Sequence, residues 1–272
     1  MGGRDGDIYT GGETGVTPIR QAQPYNGPMR FPIRAISLDL DDTLWPFAPI
    51  GDRIEQALHG WFVEYSPRTA ERFPITEMRA LRERVHQEFP EHEHDMGLLR
   101  RLTIERALRD SGDDPALASA AYSIFFHERN RVDFYPDALE GLQRLAAQVP
   151  VAALTNGNAD LAAIGIASSF CFQLGAREFG SAKPDPGLFL EACRRLDVAP
   201  NEVLHVGDHP RMDVAGAARA DMRSCWIDRG DHVWPSQIAR ADIEFTTLTA
   251  LADWLDATLL DAPPPETPKD PT

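Results

Sequence analysis

The chain is short of three things, and each shortage excludes a class of protein. It has three cysteines in 272 residues, Cys171, Cys193 and Cys225, and no two stand as a CxxC pair. A disulfide framework or a cysteine zinc site is excluded on that ground, and small apolar thiols in a reducing compartment are expected. No apolar run approaches the roughly 20 residues of a membrane span. The segment Met1–Gly6 lacks the apolar core of a secretory signal. Bases are scarce too: 27 Lys and Arg face 42 Asp and Glu, a formal net charge of −15. A surface for duplex nucleic acid or an anionic membrane wants the opposite sign. The expectation is a cytoplasmic protein with neither partner. A small phosphorylated substrate remains compatible with the charge, and protein partners are not legible.

What is present suits a globular enzyme. Hydrophobic residues make up 43% of the chain, enough for a sizeable core. The length fits one large domain, or a core domain with an insertion. Residues 1–30, rich in Gly, Thr, Pro and Gln, read as a disordered leader, and the Pro-rich residues 261–272 as a disordered tail.

The chain between them opens on an apolar strand from Ile33 to Leu38, which ends in Asp39, Asp41 and Asp42. Acids at the carboxyl end of a buried strand stand where open α/β sheets bind ligands. Their mutual repulsion invites a cation. Residues 46–131 then show helical signals only. Helices are expected at 54–65, 76–89 with Thr76 as N-cap, 98–110, and 115–129 behind Asp114-Pro115. That segment reads as a helical cap inserted into a core formed by residues 31–45 and 132–260. The core alternates helix and strand: a helix at 137–148, a strand at 151–155, a helix from Ala159, and a strand at 170–174. A helix at 186–196, strands at 203–206, 223–227 and 243–245, and helices at 212–219 and 248–259 complete it. The fold class is therefore α/β, a doubly wound parallel sheet with helices on both faces.

Four polar clusters fall at strand ends or in loops: Asp39 with Asp41, Thr155 with Asn156, Lys183, and Asp208 with Asp213. Each has a use in phosphoryl transfer. A carboxylate can attack phosphorus, and a second can protonate the leaving alcohol and then activate water. Mg²⁺ suits a hard carboxylate site, and a lysine with a hydroxyl or amide can hold the remaining phosphate oxygens. The ordered pattern Asp39-x-Asp41-x-Thr43, Thr155-Asn156, Lys183-Pro184-x-Pro186 and Gly207-Asp208-x-x-x-x-Asp213 resembles the haloacid dehalogenase-like hydrolase superfamily. The resemblance implies Asp39 as nucleophile and Asp41 as general acid and base. It implies Thr155, Asn156 and Lys183 at the phosphoryl group. Mg²⁺ would be held by Asp39, the Asp41 carbonyl and Asp208, with Asp213 in support, and the helical insertion would close over the site. Further patches, among them Leu40–Trp45, His94-Asp95, Leu154–Asn158 and Leu204–Asp208, are similar to bacterial phosphatases of flavin mononucleotide and of the phosphoribitylamino-uracil of riboflavin synthesis. His209-Pro210-Arg211 departs from that pattern.

Blander uses are expected for several residues. Asp42 accepts local backbone bonds; His205 is a satisfied core histidine. His92, His94 and Asp95 form a solvated loop, and Trp45, Phe47 and Trp61 pack between cap and sheet. The alternatives on the same fold are a haloacid dehalogenase, a sugar-phosphate mutase and a catalytically silent scaffold. The acidic pair Asp41 and Asp208 argues against the first.

Overall fold

The computed structural model describes residues 31–230 and 234–260. The expected leader and tail lie outside the described residues. Six parallel strands form one sheet in the order β3-β2-β1-β4-β5-β6. They are β1 (Ala35–Leu38), β2 (Val151–Thr155), β3 (Gln173–Gly175), β4 (Val203–Gly207), β5 (Arg223–Ile227) and β6 (Ile243–Phe245). The chain runs outward from β1 on one side, then returns to add β4 on the other. Such a reversal of winding opens a crevice at the strands' carboxyl ends. Register places Leu38 between Ala153 and Val206, so the segments after β1, β2 and β4 emerge side by side.

Side chains alternate across the sheet as strand geometry requires. Ile36, Leu38, Leu204 and Val206 join one core with Leu142, Leu145, Leu251 and Leu255. Ala35, Val203, Leu154 and Leu174 join another with Leu188, Phe189 and Ala192. The first group of partners lies on α6 (Ala138–Gln148) and α11 (Leu248–Leu260), the second on α9 (Pro186–Leu196). Helices therefore cover both faces, as the sequence predicts.

Five helices fill the segment between β1 and α6, with no strand among the described residues: α1 (Phe47–Tyr65), α2 (Pro67–Arg72), α3 (Ile75–Glu88), α4 (Met96–Ser111) and α5 (Ala118–Arg129). Ile50, Ile54, Leu58 and Phe62 form the buried stripe of α1. Phe73, Leu81, Val85, Leu99 and Ala107 make a separate small core.

Several boundaries differ from those read in the sequence. Helix α1 starts at Phe47 rather than Ile54, because Asp42 Oδ1 accepts the Phe47 N–H at 2.8 Å and Pro49 is tolerated in a first turn. Tyr65 leaves the expected stripe and is exposed. Pro74 precedes α3, so Thr76 lies inside its first turn and caps nothing. The helix after β2 shrinks to α7 (Leu161–Ile164), between the Asp160 cap and the left-handed Gly165. Strand β3 begins at Gln173, after a short turn at Ala167–Ser169, and α8 (Ala176–Phe179) follows it directly. The helix expected from Met212 begins as a π-helical turn at Pro210–Val214 and continues as α10 (Ala215–Arg219). Cys193 and Cys225 are buried thiols as expected, whereas Cys171 is exposed. No helix among the described residues is long and apolar enough to cross a membrane.

One ion pair ties the site's platform to the last helix. Arg229 donates to both oxygens of Asp137, at 2.7 and 3.1 Å, and to the Thr43 carbonyl at 2.8 Å. Asp137 also accepts the Leu248 N–H at the start of α11, at 2.6 Å. Burial raises the Asp137 pKa, but these donors outweigh it and hold the group below the ordinary carboxylate value. Asp137→Ala should cost about 3 kcal/mol, since it leaves a buried guanidinium without its partner. A chemical unfolding curve checks this, and a change below about 1 kcal/mol would make the bridge incidental. Because the folded pKa is depressed, the stabilisation is complete above the unfolded value and is lost as pH falls through the folded one.

Candidate active site

The carboxyl ends of β1 and β4 place three carboxylates in one buried space. Asp39 follows β1, Asp208 follows β4, and Asp213 lies on the π-helical turn behind it. One ligand atom from each lies within 4.8 Å of the others. Lys183 enters from the loop after α8 and stands between two of them. Its Nζ donates to Asp39 Oδ1 at 2.5 Å and to Asp213 Oδ1 at 2.7 Å. The Thr43 hydroxyl bridges the other way, 3.3 Å from Asp39 Oδ2 and 3.2 Å from Asp208 Oδ1. It has one proton, so it donates to one of these oxygens at a time.

Each group is held by a framework of its own. Asn156, at the end of β2, clasps the Lys183 backbone from both sides. Its Oδ1 accepts the Lys183 N–H at 2.7 Å, and its Nδ2 donates to the Lys183 carbonyl at 2.9 Å. Asp185 continues the loop as N-cap of α9, accepting from Gly187 N at 2.7 Å. Asp213 accepts from His209 N at 2.9 Å and lies 3.0 Å from His205 Nε2. His205 Nδ1 lies 2.8 Å from the Ser37 hydroxyl, so the ring runs from β1 to the site. Burial depresses its pKa, which favours a neutral ring with the proton on Nε2 facing the carboxylate. Gly207 admits this packing: a Cβ there would stand 2.3 Å from Asp213 Cγ. The departing His209 serves the backbone, accepting on Nδ1 from the N–H groups of Arg211 and Met212.

The charges do not balance. Three buried carboxylates face one ammonium. Burial, with help from Asp213 and Asp41 and against Lys183, pushes the Asp39 pKa up to about 7. Burial and the charges of Asp39 and Asp213 push Asp208 up to about 9. Asp213 goes the other way: burial would raise it, but Lys183 and His205 outweigh burial. Lys183 is raised for the matching reason, its desolvation being exceeded by Asp213 and Asp39. Three carboxyl groups and a hydroxyl make a hard oxygen donor set, and ionising all three needs more positive charge than Lys183 alone supplies. That set fits a divalent cation of the Mg²⁺ type.

The other predicted residues fall around this centre. Asp41 leaves the cluster: Trp45 Nε1 donates to its Oδ1 at 2.8 Å and Arg129 Nη2 to its Oδ2 at 2.6 Å. Thr155 is buried and its oxygen accepts the Gly157 N–H at 2.9 Å, which leaves its own proton to donate. Asn156 uses its Oδ1 and one of its two amide N–H donors on the Lys183 backbone, so it orders the lysine loop. Asp42 holds the start of α1. Asp95 caps α4 through Leu98 N and pairs with Arg177 at 3.3 Å, while His92 stacks on Phe89. Trp45 is fully buried, whereas Phe47 is partly exposed. Sequence reasoning missed Arg129, whose partner is 88 residues away.

Comparison with known proteins points to one family. A family model described as haloacid dehalogenase-like hydrolase matches residues 33–221. The 5-amino-6-(5-phospho-D-ribitylamino)uracil phosphatase of Escherichia coli is 34% identical, over 80% of this chain and 94% of its own. The glyceraldehyde 3-phosphate phosphatase of Methanopyrus kandleri is 29% identical, over 74% of this chain and 86% of its own. A solved structure described as a 2-haloacid dehalogenase from Pseudomonas syringae superposes with a TM-score of 0.77 at 37% identity, covering 83% of this chain and 99% of that one. With the motif residues gathered at one sheet edge and a matching model over most of the described core, the chain belongs to the haloacid dehalogenase-like hydrolase family.

Proposed function

We propose that the protein is a Mg²⁺-dependent phosphatase of small phosphorylated metabolites, acting through an aspartyl-phosphate on Asp39. One observation carries this reading: Asp208 and Asp213 crowd the nucleophile within 4.8 Å, an acidic surplus that suits a cation and an anionic substrate together. Asp39, the Asp41 carbonyl and Asp208 would hold the cation, supported by Asp213. When bound, it would offset negative charge between the nucleophile and the phosphate group.

The chain's own groups do the rest. Lys183 holds Asp39 in place with its attacking carboxyl edge fixed, and with Thr155 it supplies donors for the phosphate oxygens. Asp41 gives its proton to the leaving oxygen and then takes one from water. The similarity to the Escherichia coli enzyme points to a phosphoribitylamino-uracil substrate, with flavin mononucleotide as a related candidate. The free cysteines suit a cytoplasmic setting.

The similarity to the Pseudomonas syringae dehalogenase favours a second reading, in which Asp39 attacks carbon and displaces halide. A single experiment separates the two. Inorganic phosphate released from a panel of flavin, nucleotide and sugar phosphates should depend on Mg²⁺ and fall to background with EDTA. Metal-independent halide release from a 2-haloacid, with no phosphate release from the panel, would replace this reading with the second.

A further inference from the structure

One buried side chain that holds Asp41 belongs to none of the motifs. Arg129 is the last residue of α5, and its side chain is 2% exposed. Nη2 donates to Asp41 Oδ2 at 2.6 Å, and Nε donates to Asn158 Oδ1 at 3.0 Å. The third nitrogen, Nη1, is buried without a hydrogen-bond partner. The Phe47 ring faces the guanidinium, its centroid 5.3 Å from Cζ.

Asp41 is thus held at both oxygens. Trp45, in the turn that also carries Asp41, holds Oδ1; the helical segment holds Oδ2. Two donors on two oxygens fix the plane of a carboxyl group. The loop after β2 closes over the pair with no room to spare. A Cβ at Gly157 would lie 2.6 Å from Asp41 Oδ2 and 2.9 Å from Arg129 Nη2. Arg129 keeps Nη1 unspent, next to the carboxyl group two places after the nucleophile.

We propose that Arg129 is a positioning residue, aligning the Asp41 carboxyl group for proton transfer to the leaving oxygen. The proposal rests on the phosphatase reading above. As an Asp39 oxygen bonds to phosphorus, the bond from phosphorus to the leaving oxygen breaks. That oxygen takes the proton of the Asp41 carboxylic acid. The products are an alcohol, the aspartyl-phosphate and the Asp41 carboxylate. A fixed guanidinium is complementary to the carboxylate that forms, so it acts in the transition state more than in the ground state. In the second half, water gives a proton to Asp41 as its oxygen attacks phosphorus, and Asp39 leaves with inorganic phosphate as the other product.

The test is leaving-group dependence, read as kcat/KM on the full chain with Mg²⁺. Glycerol phosphate needs a proton on its leaving oxygen; p-nitrophenyl phosphate does not. Arg129→Met should lower kcat/KM for glycerol phosphate by about tenfold or more beyond its effect on p-nitrophenyl phosphate, a modest part of what general acid catalysis supplies. Gly157→Ala, which drives a methyl into the pair, should show the same bias, and Asp41→Asn sets its upper limit. Equal losses on the two substrates, or no loss, would overturn the proposal and leave Arg129 a structural ion pair. If Arg129→Met fails to fold by circular dichroism, the same ratio read on Arg129→Lys and Gly157→Ala decides. A wild-type protein inactive on both substrates, while active as a metal-independent dehalogenase, would instead remove the phosphatase reading.

Discussion

Asp39→Asn should reduce phosphate release by about 10⁴-fold or more while leaving the protein folded. An amide oxygen is a poor nucleophile and cannot form the acyl phosphate, so only binding and electrostatic stabilisation would remain. The fold has reason to tolerate the change. Asp39 is a buried carboxyl group whose pKa is pushed up to about 7, so its charge is held at a cost. Lys183 keeps its second partner, Asp213, at 2.7 Å. The melting temperature should therefore be unchanged or higher. Turnover within about tenfold of wild type, measured on the same phosphate ester, would place the nucleophile elsewhere.

Lys183→Met should be damaging in both respects. The lysine side chain is 3% exposed and bridges Asp39 and Asp213, themselves 10% and 2% exposed. Methionine fits the volume but leaves two buried carboxylates without their cation. Removing one partner of such a group costs about 3–5 kcal/mol. For a chain of this size that is a fall of roughly 6–20 °C in melting temperature. Activity should fall as well, since Asp39 loses the contact that orients it. Mg²⁺ should recover part of the lost stability in this variant, because a bound cation answers the same excess of charge. A melting temperature within about 2 °C of wild type would show that the carboxylates protonate without penalty and that the bridge contributes little.

These two variants touch residues that were legible in the sequence, and the reason is local. Asp39, Lys183 and Asp208 each sit at a strand end or before a proline turn, in a spacing the backbone imposes. The strand β2 and the helix α9 were legible for a similar reason: their apolar periods are unbroken and they are bounded by Gly, Pro or Asp. Where the reading failed, a distant or backbone contact decided the outcome. Helix α1 reaches back to Phe47 because Asp42 caps it, although Phe47-Ala48-Pro49 has no helical period. The motif places Asn156 at the phosphoryl group but gives no sign that the same amide also clasps the backbone of a loop 27 residues away. Arg129 gave no signal. It reads as an ordinary basic residue in a helix's last turn, and only the folded chain shows that it turns inward to Asp41.

The arrangement of β1 beside β4 also bears on how the protein comes into being. Ser37 and His205 meet across 168 residues, and the partners of Asp39 arrive from β4 and from the loop after α8. Parallel pairing over such separations is slow to form, since loop closure precedes any return from contact. The helices between β1 and α6 can form early from near neighbours, but no partial structure owns the site. The complete site is therefore a late product of folding: before β4 has docked, the chain would have its helices and Asp39, but neither Asp208 nor the Asp213 that shares Lys183.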